Sequence, residues 1–77
     1  MTADQWLAEY ASALGAPPPP EAEVETILAL AGVAAHTSER TAAPVACWIA
    51  AASGRSAAEA LALARQVGGT SRGAERP

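Results

Sequence analysis

The 77-residue chain contains no lysine and no phenylalanine, and it has only one cysteine. Five arginines against eight acidic residues leave a net charge of −3 at pH 7, so the clustered basic charge of a nucleic-acid-binding protein is missing. A single cysteine forms no internal disulfide, which suits a reducing compartment. The longest apolar run, AAPVACWIAAA, is too short to cross a bilayer, and MTADQWLAEY does not have the pattern of a signal peptide. We therefore expect a cytoplasmic protein that binds neither nucleic acid nor membrane.

Large apolar side chains are scarce as well. The hydrophobic fraction is 51%, but much of it is alanine, whose methyl group buries little area. Aromatic residues make up 4% of the chain, namely Trp6, Tyr10 and Trp48. A single domain of this length is near the lower size limit for folding without disulfides or metals. We expect marginal stability for an isolated monomer and a gain from a partner or from self-association.

The first helix is predicted by its caps and its apolar spacing. The stretch TADQ, which begins at Thr2, is a capping box. Trp6, Tyr10 and Leu14 follow at intervals of four residues and form one apolar stripe, and Gly15 stands where a helix ends.

The second helix is predicted to follow the four prolines at 17–20, with Pro20 as its first residue. Gly32 inside this helix predicts that a neighbouring helix approaches closely. Its predicted buried face comprises Val24, Ile27, Leu28, Ala31 and Ala35.

Two further helices complete the predicted fold. Thr41 is a natural N-cap for the third helix, in which Pro44 needs no amide partner, and Gly54 ends it. SAAE, from Ser56 to Glu59, is a second capping box and starts the fourth helix, which Gly68 and Gly69 end. The predicted inward stripes are Val45, Trp48, Ile49 and Ala52 in the third helix, and Ala60, Leu61, Ala64 and Val67 in the fourth.

These signals predict an all-α fold, a compact bundle of four short helices over residues 1–68. The polar stretch at 69–77 is predicted to be a disordered tail. The main rival is one kinked helix that continues from Glu21 to Ser53.

A polar cluster, AHTSERTAAPVACW, interrupts this alanine-rich pattern between the second and third helices. A structural interpretation places His36 and Arg40 on the free carbonyls of the second helix. The functional interpretation is a contact with a ligand or partner. The candidate residues for that contact are His36, Glu39, Arg40, Thr41 and Trp48.

Arg40 has two interpretations of its own. Beside a helix N-terminus, with the amides of Ala42 and Ala43 pointing outward, its guanidinium favours an anion site. The alternative is an ion pair with Glu39, or with a carboxylate such as Glu25 or Glu9. Such a pair would fix the link between the second and third helices.

Catalysis and metal binding have weaker support in this cluster. Cys47 is a nucleophile if His36 acts as its base, but a cysteine among alanines is more often a small buried hydrophobe. One histidine and one cysteine do not supply a first shell of metal ligands. We expect no enzyme activity, no cofactor and no metal.

The stretches WLAEYASALGAPPPPEAEVETILALAGVAAH and ERTAAPVACWIA give the chain a family resemblance. From about Trp6 to Val67 it resembles a small actinobacterial domain of unknown function, found alone or fused behind the guanylyltransferase of molybdenum-cofactor synthesis. The pattern that carries the resemblance comprises His36, Arg40, Ala43, Pro44 and Trp48.

The resemblance implies a role in molybdenum-cofactor maturation and supplies no catalytic residues. We therefore expect a non-catalytic binding or adaptor module that docks on a guanylyltransferase or a molybdenum enzyme, or that forms a homo-oligomer. The alternative is a domain that binds a phosphorylated pterin or nucleotide through Arg40, His36 and a helix N-terminus.

Overall fold

Reciprocal caps set the start of the first and last helices. The structure, a computed structural model, describes residues 1–67. Helix α1 (Ala3–Leu14) begins with a capping box, in which the Gln5 amide donates to Thr2 Oγ1 at 3.1 Å and the Thr2 amide donates to Gln5 Oε1 at 2.9 Å. Helix α4 (Ala57–Ala64) begins with the same arrangement between Ser56 and Glu59. Both predicted capping boxes are confirmed.

Two separate helices lie between these. Helix α2 covers Glu21–Thr37 and helix α3 covers Ala42–Ala52, so the rival of one continuous helix is wrong. Pro20 lies one position earlier than predicted, as the N-cap of α2, because its backbone is extended. Thr41 is the N-cap of α3 as predicted, but its side chain caps no amide.

Helix α2 is the centre of the bundle and packs against both α3 and α4, which also touch each other. Among the described residues α1 has no packing of comparable extent with any other helix. The predicted all-α bundle of four short helices is confirmed. No helix in this part of the chain is long and apolar enough to cross a membrane.

The core is small. Among residues 1–67 the buried hydrophobic side chains are Ala11, Leu30 and Ala60. Leu30 is 4% exposed, whereas Leu28, which the sequence placed on the buried face, is 64% exposed. Leu30 is the buried leucine because α3 and α4 both pack on α2. The side of α2 that faces the bundle is therefore wider than a single stripe of apolar residues.

The orientation predicted for α3 is also wrong. Val45, Trp48 and Ile49 are exposed, and the side that packs against the bundle carries small residues instead. Those partly buried residues are Ala42, Ala43, Ala46, Cys47 and Ala50. The small side brings α3 close to the α2 backbone, since Cys47 Sγ lies 4.0 Å from the Ile27 carbonyl oxygen.

Two further predictions change at Gly32 and at the end of α4. A Cβ added to Gly32 would meet nothing within 4 Å, so this glycine does not serve a close helix approach. Helix α4 ends at Ala64, three residues before the predicted Val67, which is exposed in a turn. Gly68, Gly69 and the predicted tail at 69–77 lie outside the described residues.

Candidate functional site

The exposed side of α3 is a continuous apolar surface. Val45, Trp48, Ile49 and Ala52 are spaced by three and four residues and therefore share one side of the helix. All four are exposed, and Trp48 is 72% exposed. We call these four residues the α3 outer face. A large aromatic side chain at its centre faces solvent.

A polar corner lies at the start of this face. His36 is in the last turn of α2, and Glu39, Arg40 and Thr41 lie in the link to α3. All of these residues are exposed, as is Trp48, so every predicted site residue is on the surface. Thr41 precedes Trp48 by seven residues, or two turns, which puts both on the same side and about 10 Å apart along the axis. We call residues 36–41 the polar corner.

Hydroxyl groups bond two carbonyls near the end of α2. Thr37 Oγ1 donates to the Val33 carbonyl at 2.7 Å, and Ser38 Oγ donates to the Ala34 carbonyl at 2.7 Å. These carbonyls are therefore occupied by groups other than the predicted His36 and Arg40. His36 keeps its place beside the negative end of the helix dipole.

The first amides of α3 are engaged within the corner itself. The Ala42 amide donates to the Glu39 carbonyl at 2.9 Å, and the Ala43 amide donates to the Arg40 carbonyl at 3.1 Å. Pro44 has no N–H to offer. The prediction that the Ala42 and Ala43 amides point outward is therefore wrong, because a tight turn leads directly into the helix. An anion at this corner would therefore have to be held by side chains. Binding of a phosphorylated ligand through Arg40 and His36 stays a prediction, but the two amides do not take part in it.

Cys47 and His36 are far apart. Cys47 is partly buried beside Ile27, and His36 follows Ile27 by nine residues, about 13 Å along the axis of α2. The pairing of these two residues needed for thiol chemistry is not made. Among residues 1–67 no group of three His, Cys, Asp or Glu residues is placed to hold a metal ion.

A second apolar surface was not predicted from the sequence. A groove of about 510 Å³ opens between α2, α3 and α4 along the C-terminal half of α2. Arg55 is the one charged residue among the described residues that line it. We call it the α2–α4 groove, and its floor and walls comprise chiefly Leu30, Val33, Ala34, Ala46, Ile49, Ala50, Ala60, Leu63 and Ala64. The signal in the sequence is the run of alanines facing one another on three helices, because methyl groups leave the space between helices unfilled.

The apolar stripe of α1 is a third exposed surface. Trp6 and Tyr10 stack with ring centroids 5.0 Å apart and an interplanar angle of 27°. Trp6 is 52% exposed and Tyr10 49%, and Leu7 and Leu14 beside them are also exposed. We call these four residues the α1 stripe.

The fold and these surfaces define a class of protein: a small all-α bundle domain in which most large apolar side chains of residues 1–67 are exposed. The chain belongs to a family described as a domain of unknown function, DUF6457, whose model matches residues 1–76. No curated protein and no solved structure matches the chain. The predicted resemblance to a small domain of unknown function is thus confirmed, while its actinobacterial origin and its fusion to a guanylyltransferase stay predictions.

Proposed function

We propose that this chain is a non-catalytic adaptor module that acts in molybdenum-cofactor maturation, and that its α3 outer face and polar corner dock on a protein partner. The partner is the guanylyltransferase that attaches GMP to molybdopterin, or a molybdenum enzyme that receives the product. The single observation that carries the proposal is the exposure of Trp48, 72%, at the centre of an apolar helix face.

The composition of the surface supports a protein partner. Protein–protein interfaces combine an apolar centre with a polar rim, and tryptophan and arginine are enriched among the residues that contribute most to affinity. Trp48 with Val45 and Ile49 supplies an apolar centre. Arg40 and Glu39, which precede Trp48 by eight and nine residues, supply a polar rim.

The link to molybdenum-cofactor synthesis is supported by the residues that carry the family resemblance. His36, Arg40, Pro44 and Trp48 are exposed, and Ala43 is partly buried. Packing of the bundle does not require a histidine, an arginine or a tryptophan at exposed positions. A pattern of exposed residues of these types therefore supports a binding role shared with the domain fused to the guanylyltransferase.

Calorimetric titration of the purified chain against the guanylyltransferase of the same organism, and separately against one of its molybdenum enzymes, tests the proposal. We expect saturable binding to one of the two, and we expect Trp48→Ala to weaken that binding about thirtyfold, the effect of a central interface residue. Leu28→Ala is the matched control, because Leu28 is an exposed apolar residue on a different helix. Absence of binding to both proteins, or equal affinities for Trp48→Ala and wild type, would reject the proposal.

A further inference from the structure

The α1 stripe is partly covered within the described part of its own chain: Ala11 is buried, but Trp6 remains 52% exposed and Tyr10 49%. A twelve-residue helix is marginal on its own in water. The segment that follows it, Gly15–Pro20, contains four consecutive prolines, and such a run is an extended, stiff spacer of about 3.1 Å per residue. Helix α1 shares a cleft with Pro18 and Pro19 of this linker at the N-terminal end of α2, and its half-exposed aromatic side chains gain from a further surface to pack on.

We propose that two copies of this chain exchange their first helices, so that α1 of each copy lies in the α2–α4 groove of the other. The lengths agree. The stripe runs from Trp6 to Leu14, eight residues or about 12 Å of helix. The groove follows α2 from Leu30 to Ser38, also eight residues and about 12 Å. Amphipathic helices bind apolar grooves in this way through anchors spaced by three and four residues.

The charges of the two surfaces are complementary. Helix α1 carries Asp4 and Glu9 and no cationic side chain. The described lining of the groove contains Arg55 and no acidic residue. A helix from a second copy therefore brings negative charge to a groove whose one charged lining residue is positive, which favours this pairing over random contact.

The position of α1 favours a second copy over its own groove. Asp4, Leu7 and Ala8 line a separate cleft of about 380 Å³ with Glu21 and other residues at the N-terminal end of α2. The groove begins at Leu30, nine residues or about 13 Å further along α2. Within its own chain, α1 therefore lies at the opposite end of α2 from the groove.

The area a stable dimer needs favours a reciprocal exchange. Trp6 and Tyr10 are each about half exposed, and a fully buried aromatic residue covers about 150–250 Å², so together they offer about 150–250 Å². A stable interface buries about 800 Å² on each partner, well above this aromatic contribution from a single docking. A two-fold exchange uses both the stripe and the groove of every chain, which doubles the aromatic contribution to about 300–500 Å², and the exposed Leu7 and Leu14 add to it. The exchange covers Ile49, which lines the groove as well as belonging to the α3 outer face, and it leaves Val45 and Trp48 free. The adaptor surface therefore keeps its central tryptophan, and the exchange does not depend on the adaptor role.

Sedimentation velocity over a dilution series of the full chain tests the exchange, with three single variants whose folding is checked by circular dichroism. Tyr10→Arg places a charge in the stripe, and Leu63→Arg places one in the groove. Leu28→Arg is the control, an exposed leucine that lines neither surface. We expect wild type and Leu28→Arg to dimerise, and we expect Tyr10→Arg and Leu63→Arg each to raise the dimer dissociation constant about thirtyfold or more.

A mixture of the two disrupted variants distinguishes exchange from other dimers. Tyr10→Arg retains an intact groove and Leu63→Arg an intact stripe, so the mixture can form one of the two dockings. We expect a heterodimer that is weaker than the wild-type dimer and stronger than the homodimer of either variant.

A wild type that stays monomeric at all concentrations would overturn the exchange, because α1 is then covered within its own chain or by another protein. A Leu63→Arg variant that dimerises like wild type would overturn it too, since the stripes then pair with each other. Trp48→Ala should dimerise normally, so failure of the adaptor proposal and failure of the exchange give different results.

Discussion

Residues of the same type differ in this chain in burial and in backbone conformation. Leu28 and Leu30 are two positions apart on the same helix, yet one is exposed and the other is the most deeply buried large side chain of the described residues. Gly32 and Gly54 differ as well. Gly54 has φ +80°, which other residues rarely adopt, whereas Gly32 lies within α2 with open space at its Cβ position.

The leucine pair gives a prediction for stability. Leu30→Ala should lower the free energy of unfolding by about 2–5 kcal/mol, because it removes buried methyl groups and leaves a cavity. Leu28→Ala should change it by about 0.5 kcal/mol or less, as exposed substitutions usually do. Urea denaturation followed by circular dichroism measures both. Equal losses for the two variants would show that Leu28 is buried in the protein in solution.

The glycine pair should respond with opposite signs. Gly32→Ala should stabilise the protein by about 0.5–1 kcal/mol, since alanine fits the helix and loses less entropy on folding. Gly54→Ala should destabilise it by about 1–2 kcal/mol, since a Cβ is strained in the left-handed region. Thermal denaturation of the two variants checks this, with an expected shift of about 4–8 °C per kcal/mol for a domain of this size. A loss of stability in Gly32→Ala would mean that another surface packs against this glycine.

Whole elements show which features a sequence determines locally. The capping boxes at Thr2 and Ser56, the break between α2 and α3, and the N-cap position of Thr41 were all predicted, because each depends on residues within a few positions of one another. The side of α3 that packs against the bundle was not predicted. Its sequence AAPVACWIAAA contains no polar side chain, so no contrast between sides shows which one packs inward.

In the candidate site, too, the features set by local sequence were predicted and those set by helix packing were not. Sequence reasoning placed the polar corner correctly in the link and the last turn of α2, because helix termini and Pro44 bound it. It did not predict that the first amides of α3 would bond within the turn, nor that alanines from three helices would leave a groove. Both depend on the relative positions of helices, which local pattern does not contain.

The engaged amides give a prediction for anion binding. Because the Ala42 and Ala43 amides donate to the Glu39 and Arg40 carbonyls, inorganic phosphate and GTP should each leave the thermal midpoint at its value in chloride of equal ionic strength. Differential scanning fluorimetry measures this. A rise that saturates with ligand and disappears in Arg40→Ala, but not in Arg65→Ala, would establish an anion site formed by side chains.

The whole molecule has more exposed apolar surface than buried core. Three surfaces, the α3 outer face, the α2–α4 groove and the α1 stripe, hold most of the large apolar side chains of residues 1–67. Contiguous exposed apolar surface on a small domain marks sites of interaction. The scarcity of large apolar residues in the sequence predicted a domain that gains from association, and the arrangement of these surfaces locates where that gain would arise.

The most direct test of the adaptor role is the fluorescence of Trp48 when the partner is added. In a Trp6→Phe variant Trp48 is the only tryptophan of the chain. We predict emission typical of a hydrated indole in the free protein, and a blue shift that saturates as guanylyltransferase or molybdenum enzyme is titrated, once the partner's own signal is subtracted. Emission from Trp48 that stays at long wavelength in the presence of saturating amounts of both proteins would contradict the account.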